Sequence, residues 1–181
     1  GSSVGVSPAR SAEDFARACD LAFSHDAKIL VERSVSGARE IECSVLEKAS
    51  GAPRASPLGE IAPAQSHGFY SYVAKYEDAA GADLRIPAAL DAALSDRLRD
   101  LALTAFRVLG CEGLARVDFF VDPADPEGIY INEINTLPGF TAISMYPKLW
   151  EAAGLSQRAL MDALIGHALS RRDRAEALRA A

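Results

Sequence analysis

The residues best suited to metal chemistry lie on two apolar segments that the pattern predicts to be strands, 113–121 and 128–135. Glu133 and Asn135 are two positions apart, so their side chains project from the same face of a strand. Asp118 lies on the other strand and meets them across the hairpin. Two carboxylates and a carboxamide supply the hard oxygen ligands that Mg²⁺ prefers. Read alone, a carboxylate pair on a hairpin is more often a solvated or salt-bridged surface feature.

Arg116 is two positions before Asp118 and is therefore expected on the same face. A planar guanidinium there can hold a carboxylate or a developing oxyanion, although a plain salt bridge to Asp118 or Glu133 fits the spacing equally well. Asn135 leads into a turn in which Gly139 lets a backbone N–H approach a ligand closely. Ser144 follows near the start of a helical stretch. Backbone N–H groups in this region are candidates for binding an anion.

Two other segments are weaker candidates. The Gly/Ser-rich opening, residues 1–5, allows close backbone approach to phosphate but lacks the Gly-Lys-Ser/Thr ending of a P-loop. Lys75 and Tyr76 place a cation and a hydroxyl before a polar segment, 77–83, that is long enough for a functional loop. Read alone, both are ordinary surface residues.

The surrounding pattern predicts the elements that position these residues. Ser11 is an N-cap for a helix over 12–24, and apolar residues at helical spacing predict helices over 88–109 and 156–171. Predicted strands cover 28–33 and 39–47, and the loop-like stretch 49–68 contains a single short strand at 58–61. A solvated end follows residue 171. The order of elements predicts an α+β fold, with an antiparallel hairpin at 113–135.

Composition excludes several classes of protein. The chain has 181 residues, 49% of them hydrophobic, which is enough for a sizeable core. A net charge of −6 disfavours nucleic acid as a partner. No apolar run approaches the roughly 18 to 20 residues that cross a bilayer. The three cysteines are widely spaced and suggest neither a disulfide framework nor a metal cluster, so we expect a soluble protein of the reducing cytoplasm.

In this order, the motifs resemble the D-alanine–D-alanine ligases of the ATP-grasp superfamily, over nearly the whole chain. The resemblance is carried by six segments: 1–7 (GSSVGVS), 31–33 (VER), 37–42 (GAREIE), 69–76 (FYSYVAKY), 113–118 (GLARVD) and 133–141 (EINTLPGFT). It implies an ATP-grasp fold in which an antiparallel sheet packs against helices. Residues 1–36 would be a remnant of the central ATP-binding subdomain, 37–172 the C-terminal catalytic domain and 173–181 a tail.

The resemblance also implies a reaction. ATP phosphorylates the carboxylate of one D-alanine, and the amine of a second attacks the acyl phosphate to give D-alanyl-D-alanine, a peptidoglycan precursor. Asp118, Glu133 and Asn135 would hold two Mg²⁺ ions, with Mn²⁺ as an alternative. Arg116 and the Gly139 N–H would form the oxyanion hole.

The remaining site residues follow from the same resemblance. Ser144 and the Met145 backbone would hold the carboxylate of the second D-alanine. The nucleotide would meet Glu32 and the backbone near Val35 at its adenine, and Glu40 at its ribose. Lys75 would lie near the phosphates, on a loop that closes over the site.

Tyr76, on the same loop, would hydrogen-bond to Ser2. In the family this tyrosine separates ligases that use D-alanine as second substrate from those that make D-alanyl-D-lactate. It therefore favours the dipeptide product.

The resemblance leaves part of a ligase unaccounted for. The family has an N-terminal domain with an acidic residue, followed by two lysines that clamp the ATP phosphates, and these would precede Gly1. We therefore expect a fragment that is inactive alone, and a homodimer for the full-length protein. One alternative is another ATP-grasp carboxylate–amine ligase, which Lys75-Tyr76 and Ser144-Met145 argue against. A different class is a non-catalytic nucleotide-binding module.

Overall fold

A computed structural model describes residues 4–49, 51–63, 82–125 and 127–179. The described residues form an α+β fold, as predicted. Its elements are α1 (Ala12–Phe23), β1 (Arg39–Leu46), β2 (Arg54–Pro63), β3 (Ala82–Arg85), α2 (Ala92–Val108), β4 (Leu114–Val121), β5 (Ile129–Asn135), α3 (Met145–Ala152) and α4 (Gln157–Arg179).

The strands form one sheet in the order β3-β2-β1-β4-β5. Strand β1 pairs antiparallel with both β2 and β4, and β4 pairs antiparallel with β5. The predicted hairpin is therefore confirmed. Its outer strand carries one irregularity, because the register shifts between Asp118 and Phe119.

The two faces of the sheet differ in chemistry because side chains alternate along each strand. The apolar face carries Ile41, Cys43, Val45, Val117 and Phe119, all buried. Helix α2 covers it with Leu98, Ala102 and Phe106, whose spacing of four places them on one side of the helix. Burial of each large side chain contributes about 1.5–3 kcal/mol, so this layer fixes the strands that position the site. The polar face carries Glu42, Ser44, Arg116 and Asp118.

Helix α3 covers one end of the polar face. The Tyr146 hydroxyl donates to the Val45 carbonyl at 2.9 Å, and the Ser44 hydroxyl donates to the Tyr146 carbonyl at 3.3 Å. A Cβ at Gly59 would lie 2.7 Å from the Met145 sulfur, so a residue without a side chain lets the helix approach β2.

The chain divides into two compact units. The first comprises residues 1–37 and 63–83, and the second comprises 38–62 and 84–181. In the first unit, α1 begins as predicted, since the Ser11 hydroxyl accepts the Asp14 N–H at 3.1 Å. The second unit contains β1, β4, β5 and helices α2 to α4.

The prediction of a strand over residues 28–33 is wrong. No strand is present there in the described part of the first unit, and Leu30 and Val31 are 79% and 68% exposed. An apolar run becomes a strand only when a neighbour pairs with its backbone. Hydrophobicity alone was therefore insufficient to predict one.

Strand β2 is longer than the predicted 58–61, and the mostly loop-like interpretation of 49–68 is wrong for 54–63. Pro57 is unusual within a strand because proline cannot donate a backbone hydrogen bond to a neighbouring strand. The register of β1 and β2 shifts between Cys43 and Val45, and the Ser44 N–H donates to the Ser56 hydroxyl at 3.0 Å. This bulge accommodates the proline within the strand.

The last helix also extends beyond its predicted end at residue 171 and reaches Arg179. Exposed side chains one turn apart support the extension. Arg172 Nε lies 3.7 Å from Glu176 Oε1, and the Arg174 guanidinium donates to the Ser170 hydroxyl at 2.9 Å. Among the described residues, no helix is both long and apolar enough to span a membrane.

Cys43 yields a test of how tightly the apolar face is packed. Burial raises the pKa of its thiol to about 12. Because the thiolate is the nucleophile, we expect iodoacetamide at mildly alkaline pH to label the partly exposed Cys19 and Cys111 and to spare Cys43 until denaturant is added. Peptide mass spectrometry measures this, and equal labelling of all three cysteines in the folded chain would contradict it.

The same pKa predicts a loss of stability in alkali. Between the ordinary cysteine value of 9.0 and about 12, the unfolded chain releases a proton that folded Cys43 retains. The free energy of unfolding therefore falls with rising pH in this window, by at most about 1.4 kcal/mol per pH unit from this thiol. Denaturation at two alkaline pH values measures the slope.

Candidate active site

The polar face brings three carboxylates into one row across three strands. Glu42 on β1 is directly opposite Asp118 on β4, and Asp118 is directly opposite Glu133 on β5. In the adjacent row, Arg116 is opposite Asn135. Residues directly opposite each other project from the same face, with Cβ atoms about 4.5–5.5 Å apart. The four predicted residues Arg116, Asp118, Glu133 and Asn135 are thus neighbours on one face.

Arg116 is within ion-pair distance of two buried carboxylates, those of Asp118 and Glu42. Its Nε and one terminal nitrogen donate to the two oxygens of Asp118 at 2.7 and 2.6 Å. Its Nε also lies 3.1 Å from Oε2 of Glu42. The salt bridge to Asp118, one of the alternatives that spacing left open, is therefore present. The pair is bidentate, with two parallel N–H···O hydrogen bonds, and this geometry makes arginine–carboxylate pairs strong.

Arg116 remains protonated despite its burial. Burial alone lowers the pKa of the guanidinium. The hydrogen bond to Asp118 and the charges of Glu42, Asp118 and Glu133 raise this pKa by more than burial lowers it, so that it lies above its ordinary range. Arg116 is therefore a permanent cation and donor at this face.

Glu42 is the neighbour of Arg116 that sequence reasoning missed. Its alternation with Ile41 and Cys43 indicates only that it lies on the opposite face of a strand from those two residues. The sequence places Glu42 on one face of β1, but it does not show that β1 pairs with β4. Only that pairing places Glu42 directly opposite Asp118.

The charge and the oxygen atoms of this site fit a hard divalent cation. Glu42, Arg116, Asp118 and Glu133 together carry a formal charge of −2, since three carboxylates outnumber one guanidinium by two. Asn135 Oδ1 accepts the Leu137 N–H at 3.0 Å and retains a second lone pair. Over the described ranges, no group of three or more His, Cys, Asp or Glu side chains is arranged to hold a metal ion. Mg²⁺ needs fewer protein ligands, because it keeps waters and takes oxygens from phosphates.

The turn after β5 links Gly139 to the start of α3. A Cβ at Gly139 would lie 2.7 Å from the Ser144 hydroxyl, so the two residues are in close contact. That hydroxyl accepts the Thr141 N–H at 3.0 Å and makes no capping hydrogen bond to α3. The first turn of α3 therefore has no side-chain cap from Ser144. Met145, next in the chain, is buried against Gly59.

The remaining predicted residues lie in other segments of the chain. Glu40 lies on β1, two positions before Glu42, and its side chain therefore belongs to the same face. Glu32 and Val35 lie in the first unit, outside helices and strands. Ser2, Lys75 and Tyr76 lie outside the described residues.

Comparison with known proteins identifies the family. The protein-family model described as "D-ala D-ala ligase C-terminus" matches residues 1–166. A D-alanine–D-alanine ligase of Bradyrhizobium sp. (strain BTAi1) is 63% identical over 174 residues, which cover 96% of this chain and 47% of that protein. The chain therefore belongs to the D-alanine–D-alanine ligase C-terminal family. It spans about half the length of the curated relatives it matches.

Solved structures support the same assignment and confirm the ATP-grasp fold. The D-alanine–D-alanine ligase from Coxiella burnetii has a TM-score of 0.81 and 38% identity, covering 99% of this chain and 46% of that one. The Bacillus anthracis ligase complexed with ATP has a TM-score of 0.73 and 32% identity, covering 96% of this chain and 53% of that one.

Proposed function

We propose that this chain supplies the metal- and phosphate-binding part of an ATP-dependent ligase that joins two D-alanines. A carboxylate oxygen of the first D-alanine attacks the γ-phosphorus of ATP, which releases ADP. The amine of the second then attacks the acyl phosphate, and phosphate leaves as the peptide bond forms. The row of Asp118 and Glu133 beside Arg116 is the observation that carries this proposal, because it joins cation ligands to an anion-binding donor on one face.

Asp118, Glu133 and Asn135 are the proposed ligands of Mg²⁺, with Mn²⁺ as an alternative. When bound there, Mg²⁺ would neutralise charge on the nucleotide phosphates during phosphoryl transfer. The outer strand provides two of these ligands, and the core layer below fixes the position of the third.

Arg116 and the Gly139 N–H are the proposed donors to the oxyanion of the tetrahedral intermediate. Burial of Arg116 strengthens its interaction with a developing negative charge, since the local dielectric is low. The raised pKa of Arg116 keeps the donor protonated throughout the reaction.

Ser144 and the Met145 N–H are proposed to hold the carboxylate of the second D-alanine. A helix N-terminus without a side-chain cap favours an anion at this position. Family resemblance supports further roles for Glu32, Val35, Glu40 and Lys75 toward the nucleotide, and for Ser2 and Tyr76 in closing the site. We also propose a cytoplasmic homodimer for the whole protein.

A substrate panel tests the proposed function. In a protein of full family length that includes these residues, we expect ADP release to require D-alanine and the product to be D-alanyl-D-alanine. L-Alanine, D-lactate and D-serine are the comparison substrates. Preferred turnover of another substrate would replace this proposal with a different carboxylate ligase. ATP binding without turnover would support a non-catalytic module instead.

A further inference from the structure

We propose that Glu42 is a positioning residue, which holds Arg116 in place when Asp118 binds a cation. This inference rests on the proposed function, since it assumes a role for Asp118 toward Mg²⁺. The Glu42 side chain is 6% exposed, and its Oε2 lies 3.1 Å from Arg116 Nε. Glu42 is absent from the proposed ligand set.

The Arg116 Nε lies within ion-pair distance of two carboxylates, and its single N–H donates to Asp118. Asp118 Oδ1 is nearer, at 2.7 Å, and the terminal nitrogen on the same edge of the guanidinium donates to Asp118 Oδ2 at 2.6 Å. Both oxygens of Asp118 are therefore engaged by one arginine. Among the described residues, Asp118 and Glu42 are the carboxylates within ion-pair distance of Arg116.

A cation at Asp118 changes this balance. The charge of a bound cation would compete with the guanidinium for the same oxygens and would weaken the attraction between Asp118 and Arg116. Glu42 is outside the proposed ligand set, and its carboxylate stays next to Nε, 3.1 Å away. It therefore holds the guanidinium on the polar face at the stage when an oxyanion needs that donor.

A second buried pair in the same sheet provides a matched control. Glu60 accepts from Arg39 Nε and a terminal nitrogen, both at 2.8 Å, and its side chain is 7% exposed. Glu60 lies opposite Ile41 and therefore on the apolar face. Glu60→Gln thus removes a similarly buried arginine-bound carboxylate that lies away from Asp118.

The first test measures Arg116 directly in the 181-residue chain. Nitrogen-15 NMR follows exchange of the Arg116 Nε–H with solvent, with and without millimolar Mg²⁺. We expect Glu42→Gln to accelerate exchange by about tenfold when Mg²⁺ is present, since each 1.4 kcal/mol of lost protection is tenfold in population. Glu60→Gln should leave the Arg116 signal unchanged. Equal exchange in Glu42→Gln and wild type would overturn the proposal.

The second test uses the protein of full family length. Glu42→Gln should lower kcat by about tenfold or more, with KM for ATP and D-alanine within about twofold, because the misplaced donor acts after substrates bind. Glu60→Gln should lower Tm to a similar extent and leave kcat within about twofold. Glu42→Asp keeps the charge at longer reach and should recover part of the lost kcat.

The outcomes separate the two levels of inference. Equal losses of kcat in Glu42→Gln and Glu60→Gln would reduce Glu42 to a structural ion pair and overturn its positioning role. No recovery in a folded Glu42→Asp would also count against it. If the wild-type protein lacked ligase activity, the proposed function would fail, and the NMR comparison would still decide whether Glu42 holds Arg116.

Discussion

Replacing Glu133 by glutamine is expected to lower kcat of a protein of full family length by about a hundredfold or more, a magnitude typical of losing one electrostatic group in an active site. Glutamine keeps the shape of the side chain and removes its charge. The effect is large because Asp118 already shares its charge with Arg116 at 2.6 Å, whereas Glu133 is in no ion pair among the described residues. Steady-state kinetics over a range of Mg²⁺ concentrations measures it.

Glu127 provides the control for this substitution. It precedes β5, is exposed, and pairs with Arg97 on α2 at 2.8 Å. Glu127→Gln removes the same charge near the same strand and should leave kcat within about twofold. If Glu133→Gln also kept kcat within that range at low Mg²⁺, the assignment of Glu133 as a metal ligand would be wrong.

Replacing Tyr146 by alanine is expected to lower the free energy of unfolding by about 3–5 kcal/mol, the range for a large aromatic lost from a core. The side chain is fully buried and packs with Leu46, Trp150 and Leu160. Its ring centroid lies 5.4 Å from that of Phe140, on the turn that leads to Ser144. Chemical denaturation of the 181-residue chain measures the loss.

Tyr146→Phe separates the hydroxyl from the ring. It removes the 2.9 Å hydrogen bond to the Val45 carbonyl and should cost about 1–2 kcal/mol. A loss in Tyr146→Ala no larger than in Tyr146→Phe would show that the ring contributes little to fixing α3. The proposed anion-binding turn would then need another support.

Local pattern predicted the hairpin and the residues that it brings together. Alternation placed Glu133 and Asn135 on one face, and pairing of consecutive strands placed Asp118 and Arg116 beside them. The capped start of α1 and the end of α2 before Gly110, whose φ is +64°, also followed from local signals. These features depend on residues close together in the chain.

Long-range pairing could not be predicted in the same way. The place of Glu42 beside Asp118 depends on β1 joining β4, although β2 and α2 lie between them in sequence. The bulge that accommodates Pro57 depends on the same sheet, and the apolar run at 28–33 needed a partner that composition does not reveal. The proposed roles of Val35 and Met145 use backbone atoms, which leave no signature in residue type.

The most direct test follows one oxygen atom through the reaction. D-Alanine labelled with oxygen-18 in its carboxylate is given to a protein of full family length together with ATP. An acyl phosphate joins a carboxylate oxygen to phosphorus, and that oxygen leaves with phosphate when the amine attacks. Mass spectrometry of the phosphate should therefore show one labelled oxygen for each dipeptide formed. Dipeptide formation with unlabelled phosphate would contradict phosphoryl transfer to the carboxylate at this site.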